Sequence, residues 1–257
     1  MTVVNALYDG LTKEKKLLTL FLSLGKIPAY SGWCKMAVSL KILAKMHYFT
    51  GLTQAEIKAV RKCVTLEKKI EKGETLLFEG DRSEYMYFIV SGAVKVYKKH
   101  ANGREQILNI STSGDSLGDV STFDGGGTAA NMLAMTPVRL YAIQTGDMER
   151  LFCKNSKIAR NVARVLASRV RRDSSLVEVL SSGQVTSRLA KLILKQGAAA
   201  GVTRLPHFNQ QDLAAMVGTS RVVVNRSLRE MEEKGAIRLE RRRIVIINEQ
   251  ILKDLAK

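Results

Sequence analysis

Between Gly73 and Ile143 the chain is punctuated too often to be helical. Short runs rich in aromatic and β-branched residues, at Thr75–Phe78, Tyr85–Val90, Ala93–Tyr97, Gln106–Ile110 and Val138–Ile143, are separated by turn residues. The separators are Gly80-Asp81, Ser91-Gly92, Asn102-Gly103, Gly114-Asp115 and the triplet Gly125, Gly126, Gly127. Strands favour the first set of side chains. The second set reaches positive φ at little cost. Short strands at this spacing fold as a sandwich or barrel-like β structure. Just before them, Thr53 and Glu56 mark a helix start, with Thr53 as N-cap and Glu56 at the third position of a capping box.

The C-terminal part has a different rhythm. Val185–Gln196 is amphipathic, with Leu189, Leu192 and Ile193 on one side. Asn209 caps a short helix whose inner face is Leu213, Ala214 and Val217. Gly218 supplies a turn, and Thr219 or Ser220 caps a second helix from Arg221 to Lys234. Val224, Leu228 and Met231 form the apolar stripe of that helix, and Gly235 ends it. Two strands follow, Ile237–Glu240 and Ile244–Ile247, joined by Arg241, Arg242 and Arg243. A helix-turn-helix followed by a β-hairpin is a winged helix. Its second helix carries Arg221, Asn225 and Arg226 on its first turns and Arg229 one turn on. Arginine pairs bidentately with guanine and asparagine with adenine. Asn209, Gln211 and Ser220 suit phosphate at helix starts, and Arg242 on the wing adds charge.

Charge agrees with that reading. The chain carries +17. Residues 48–150 are neutral, while 1–47 carry +5, 151–182 carry +5 and 183–257 carry +7. A neutral module flanked by basic ones points to a polyanionic partner, and double-stranded DNA is the one expected.

Residues 151–182 hold an apolar seam at Ala159, Ala163, Leu166, Val170, Asp173, Val177 and Leu180, spaced alternately by 4 and 3. That is a heptad, which points to a homodimer joined along this helix. Asp173 is the polar member. It sets register, turns to solvent, or lines a pocket. In a symmetric pair its two copies share a proton or need cations, for which Arg169 and Arg172 are close in sequence.

Phe78-Glu79-Gly80-Asp81, Tyr87-Phe88-Ile89-Val90-Ser91-Gly92, Gly103-Arg104-Glu105, Gly114-Asp115 and Leu117-Gly118-Asp119 resemble the cyclic-nucleotide-binding β-roll of the Crp/Fnr transcription regulators. Gln210-Gln211-Asp212-Leu213-Ala214, Gly218-Thr219-Ser220-Arg221 and Asn225-Arg226 resemble the helix-turn-helix of the same family. The likeness runs from about His47 to the C-terminus. It implies an α+β chain with a jelly-roll-like β-roll, a long dimerisation helix and a C-terminal winged helix-turn-helix. The corresponding domains are an N-terminal extension of unknown role at 1–47, the roll at 48–150, the helix at 151–182 and the DNA-binding domain at 183–257. The family also implies effector control through the roll, RNA polymerase as a partner if the protein activates, and half-sites roughly 34 Å apart.

Two departures matter. In the family a Gly-Glu pair and a downstream Arg-Ser or Arg-Thr pair hold the ribose and the cyclic phosphate. Here the pairs are Gly118-Asp119 and Thr128-Ala129. The arginine is absent, and with it charge-assisted bonds worth about 1.5–3 kcal/mol each. The effector residues implied are Gly118, Asp119, Thr128 and Ala129, with Asp173 and Ser174 from the helix. The cofactor stays open between a cyclic nucleotide, another effector and none, the last being an effector-independent DNA binder. The second departure is Val222, where the family usually has a glutamate that accepts from a cytosine amine.

The remaining features are bland. Cys34, Cys63 and Cys153 form no C-x-x-C pair, and His47, His100 and His207 share no spacing with them. No metal site is expected, and the sparse cysteines fit a reducing, cytoplasmic setting. A redox role for Cys63 or Cys153 is a variant of sensing. No nucleophile–base–acid arrangement or P-loop points to an enzyme. Lys13, Lys15 and Lys16 precede an apolar run, Leu17 to Leu24, far shorter than the about 20 residues of a membrane span. The stretch reads as an amphipathic surface helix, as an appended helix, or as sequence upstream of a start at Met36 or Met46. A membrane partner is not expected. From the seam, Asp173→Leu is expected to tighten the dimer and blunt the effector response. Sedimentation equilibrium and effector titration of DNA binding check both.

Overall fold

The computed structural model describes residues 38–181, 183–200, 209–240 and 243–257. The expectations for residues 1–37, Ser182, His207, Arg241 and Arg242 lie outside the described residues. Helix α1 (Leu40–Leu43), a 3-10 turn (His47–Phe49) and α2 (Gln54–Cys63) lead into the β region. Thr53 caps α2: its hydroxyl accepts from Glu56 N, and the Glu56 carboxylate accepts from Thr53 N. The same carboxylate accepts from Asn155 Nδ2 and Lys157 Nζ, tying α2 to a segment a hundred residues away. Bonds from the Thr53 backbone and hydroxyl, then from Asn155, hold the Glu56 carboxyl down to about 2.

Eight strands follow: β1 (Val64–Ile70), β2 (Thr75–Leu77), β3 (Tyr85–Ser91), β4 (Ala93–Lys99), β5 (Glu105–Thr112), β6 (Ser116–Leu117), β7 (Asn131–Ala134) and β8 (Val138–Gln144). They form two four-stranded antiparallel sheets, in the orders β1-β8-β3-β6 and β2-β7-β4-β5. The near-continuous apolar run of β3 has a direct cause. Tyr87 and Ile89 face the core between the sheets. Met86, Phe88 and Val90 face the other way, against Tyr48, Phe49, Ile57 and Val60. A strand covered on both faces shows no polar alternation. Helix α3 (Asp119–Asp124) interrupts the strands after β6, starting from Gly118 at φ +78°.

Helix α4 (Thr145–Lys154) ends at Asn155, and α5 (Ser156–Ser181) begins immediately after it. The long helix is thus shorter at its start than residues 151–182. Asn155 takes φ −131° and its side chain accepts from Lys157 N and Ile158 N, which ends one helix and caps the next. At 26 residues α5 is about 39 Å long. Ile158 and Val162 anchor its first turns in the cluster that holds Tyr48 and Phe88, with Val165 and Leu166 packed alongside.

The C-terminal part comprises α6 (Val185–Ala200), α7 (Gln210–Val217), α8 (Arg221–Glu233), β9 (Ile237–Glu240), β10 (Arg243–Ile246) and α9 (Glu249–Leu255). Leu189, Ile193, Leu213, Val224, Leu228 and Met231 form its own core. The winged helix-turn-helix is present with its hairpin paired antiparallel.

The turn between β3 and β4 admits no side chain. Gly92 sits at φ +97°, and a Cβ there would lie 2.4 Å from the Pro137 carbonyl oxygen and 2.9 Å from Val138 Cα. Gly92→Ala combines left-handed strain with a backbone collision. It is expected to lower stability by more than about 2 kcal/mol in equilibrium urea denaturation.

Candidate functional site

The start of α7 is closed by Asn209, whose side chain accepts from Asp212 N at 2.7 Å. Gly218, at φ +68°, ends the helix in the left-handed conformation. Ser220 then caps α8 by accepting from Val223 N at 3.4 Å, so Ser220 and not Thr219 is the cap. With Val224, Leu228 and Met231 buried, the opposite face of α8 is presented outward. Arg221, Val222, Arg226 and Arg229 are exposed there, and Asn225 is half-buried. Among the described residues none of these three arginines forms an ion pair, although the Arg226 charge acts on Glu230 one turn on. Gln211 is exposed at the start of α7, and Arg243 is exposed on the wing.

One participant was not singled out from sequence. Gln210 Oε1 accepts from Arg221 Nε at 3.4 Å, and Gln210 Nε2 donates to Asn225 Oδ1 at 3.3 Å. A single amide on α7 therefore orients two polar side chains on the outer face of α8. The Gln210-Gln211 pair was visible, but a bridge across the turn needs the crossing of the two helices.

The second region lies in the β-roll. Asp119, buried at the first turn of α3, receives Tyr48 Oη at 2.6 Å and Ser116 Oγ at 3.1 Å. Arg169 of α5 reaches in, with Nη1 at 2.6 Å from the carboxylate and Nη2 donating to the Ser116 carbonyl at 2.9 Å and hydroxyl at 3.0 Å. Burial, then the Asp119 charge, pushes the Tyr48 hydroxyl far above its ordinary range, so it stays a proton donor. Burial works to lower the Arg169 value, but the Asp119 charge and hydrogen bond outweigh it and leave a net rise.

A cavity of about 120 Å³ adjoins this cluster. Gly118, Asp119, Thr128, Ala129 and Asp173 line it, together with Arg169 and Arg172. Five of the six effector residues inferred from sequence thus meet in one place. Ser174 does not line it, because its hydroxyl donates to Val170 O one turn back. Thr128 is committed to the neighbouring turn, its hydroxyl and amide both donating to Asp81 O at 2.8 Å. Among the described residues, the buried Arg172 Nε has no hydrogen-bond partner. Among the described residues no cluster of His, Cys, Asp or Glu could hold a metal ion.

Of the seam residues, Ala163, Val170, Asp173 and Val177 are exposed, Val170 at 65% and Val177 at 63%. Leu166 packs on the roll, and Leu180 packs against the turn at Gly218.

The two regions touch. Gln106 of β5 is buried and donates to Met216 O of α7 at 3.3 Å. Tyr97 and Ile107 form an apolar cluster with Ala215 and Met216. A Cβ on Gly218 would lie 2.9 Å from Leu180 Cδ2 and 3.2 Å from Gln106 Oε1. Asp212 faces Lys95 and Glu105 of the roll. Burial raises its pKa, Lys95 opposes that, and Glu105 adds to it. Beside this contact a cavity of about 920 Å³ opens between β5, α5, α6 and α7, and Arg172 lies on its wall too.

Comparisons with known proteins agree with this geometry. Residues 67–155 match a cyclic nucleotide-binding domain model, and 187–255 match a Crp-like helix-turn-helix domain model. The chain is 30% identical over 218 residues to the CRP-like cAMP-activated global transcriptional regulator of Mycobacterium tuberculosis, covering 82% of this chain and 97% of the relative. It is 29% identical over 185 residues to the cyclic AMP receptor protein of Thermus thermophilus, covering 72% of this chain and 85% of that one. Among solved structures, FixK2 from Bradyrhizobium japonicum superposes with a TM-score of 0.66 at 23% identity, covering 74% of this chain and 96% of its own.

Asp119→Ala leaves the Arg169 guanidinium buried without its anion. Unpairing a buried ion pair costs about 3–5 kcal/mol. The variant is expected to lose stability on that scale in urea denaturation, and the double variant Asp119→Ala/Arg169→Met to regain part of it.

Proposed function

The chain belongs to the Crp/Fnr family of transcription regulators, a family of DNA-binding proteins and not of enzymes, and from that premise we propose that it is a homodimer that reads a two-fold symmetric operator through α8 under control of the β-roll. One observation carries the reading. Three exposed arginines that form no ion pair among the described residues stand on the outer face of a capped helix that follows a glycine turn. Helix-turn-helix proteins place base-reading side chains on the first turns of that helix, and their dimers set half-sites roughly 34 Å apart. Arg221 and Arg226 are assigned to bases and backbone, Asn225 to adenine. Asn209, Gln211 and Ser220 are assigned to phosphates by way of the helix starts they close, and Arg229 to the flank of the groove.

The homodimer rests on α5. Val170 and Val177 lie one heptad apart, exposed on either side of Asp173. In a pair related by a two-fold axis each valine covers its copy, and Asp173 comes near its own copy and Arg172.

Control through the roll rests on the cavity that adjoins Asp119. Its arginines come from the long helix and not from the Thr128-Ala129 position, so an effector that entered would engage the dimer helix directly. Arg172, which lines both cavities and whose buried Nε has no hydrogen-bond partner among the described residues, is the group assigned to an anionic moiety of the effector. Cyclic AMP, named for the relatives, is one candidate. A second reading, effector-independent DNA binding, has its own support. About 120 Å³ is well below the ~300 Å³ at which small-molecule pockets begin. Asp119 is also already occupied by Tyr48, Ser116 and Arg169. Titrating DNA affinity with cyclic AMP and cyclic GMP separates the two: a change that Arg172→Ala removes supports control, and no change supports the second.

Arg221→Ala and Arg226→Ala are each expected to weaken operator binding by about 1–3 kcal/mol per half-site, roughly 5- to 150-fold. Fluorescence anisotropy on an operator selected from random duplex measures this. The variant that loses a phosphate contact also shows a shallower dependence of affinity on salt.

A further inference from the structure

We propose that Val222 reads a thymine methyl group in each half-site, so that the operator carries an A·T pair where it faces this residue. The inference rests on the reading of α8 as the recognition helix. Val222 is 79% exposed, the most exposed large apolar side chain among the described residues. Its exposure is not a matter of crowding elsewhere. Val224, two positions on, is fully buried in the winged-helix core, and two positions on a helix turn the side chain about 200° away. Val222 therefore sits on the face opposite that core. It shares that face with Asn225, Arg226 and Arg229, three, four and seven residues on.

The surroundings of Val222 are fixed. It is the second residue of α8, two positions after the cap at Ser220. Arg221 beside it and Asn225 one turn on are both held by Gln210. An apolar side chain thus stands inside a preorganised polar frame at the end of the helix that enters the major groove. The edges of base pairs in that groove offer donors and acceptors at every position, and one apolar group, the C5 methyl of thymine. Against a cytosine amine or the guanine acceptors, valine removes water and returns no hydrogen bond, which is unfavourable. Against thymine it buries a methyl. Attraction and exclusion select the same base.

The test begins with full-length protein and selection from a random duplex library. Each thymine of the enriched operator is then replaced symmetrically by deoxyuridine, which lacks only the methyl. One thymine pair is expected to be sensitive, with affinity falling about tenfold when both half-sites lose the methyl. Val222→Ala, folded by its circular-dichroism melt, is expected to bind thymine and uracil operators equally. Val222→Glu is expected to change the selected base at this position to cytosine. The inference is overturned if no thymine is sensitive, or if Val222→Ala keeps the sensitivity of the parent. Selection that enriches no sequence overturns the DNA reading itself, so the two failures are distinct.

Discussion

A carboxylate buried in a β-roll has to be paired or protonated, and the pairing of Asp119 with Arg169 sets where the long helix of this molecule lies. Asp119 belongs to the roll and Arg169 to the long helix. Their contact is supported by Tyr48 from the segment before the strands and by Ser116 from β6. Three parts of the chain, distant in sequence, converge on one carboxylate. Such a pair adds little net stability, because desolvation offsets most of the attraction. It does exclude other placements. Sliding α5 by one turn would strand two charges inside the protein, so the apolar contacts of Ile158 and Val162 acquire a unique register.

From that register the C-terminal end of α5 is delivered to the helix-turn-helix. Leu180 lies against the turn at Gly218, and Gln106 of the roll reaches the carbonyl of Met216 just before it. The glycine at the turn serves two purposes. It takes a left-handed conformation to break α7 from α8, and it leaves room for the roll and the long helix to approach the break. β5 and the end of α5 thus both contact the turn at the base of α8.

Much of the DNA-reading half was legible because its signals are local. The cap Asn209, a cap at Thr219 or Ser220, the turn at Gly218 and the stripe Val224, Leu228, Met231 each declare themselves within a few residues, and the structure decides for Ser220. The roll was legible through its glycine turns, but β1, β6 and β7 were not. Val64–Ile70 carries Glu67, Lys68 and Lys69 and follows α2 without a turn, so nothing in its composition says strand. Only pairing with β8 makes it one. The two residues of β6 are too few to show a period. Residues 151–154 continue apolar spacing into α5, and the break at Asn155 depends on a side chain that caps forward. Arg169 was visible as a partner for Asp173. Its true partner is fifty residues earlier, a contact that no local pattern announces.

The same pair constrains how any effector could act. A ligand that binds by taking Arg169 from Asp119 leaves a buried carboxylate behind, and its gain must exceed that loss before it shifts the population at all. A ligand met by Arg172 does not incur this loss, because Arg172 is outside the Asp119 pair and, among the described residues, its buried Nε has no hydrogen-bond partner. Arg172 lies on the walls of both the small cavity and the larger one that borders α7. In the larger cavity an anion at Arg172 would share a space lined by β5, the long helix, α6 and α7. Its leverage on DNA binding would equal its difference in affinity between the two arrangements of those elements, and no more.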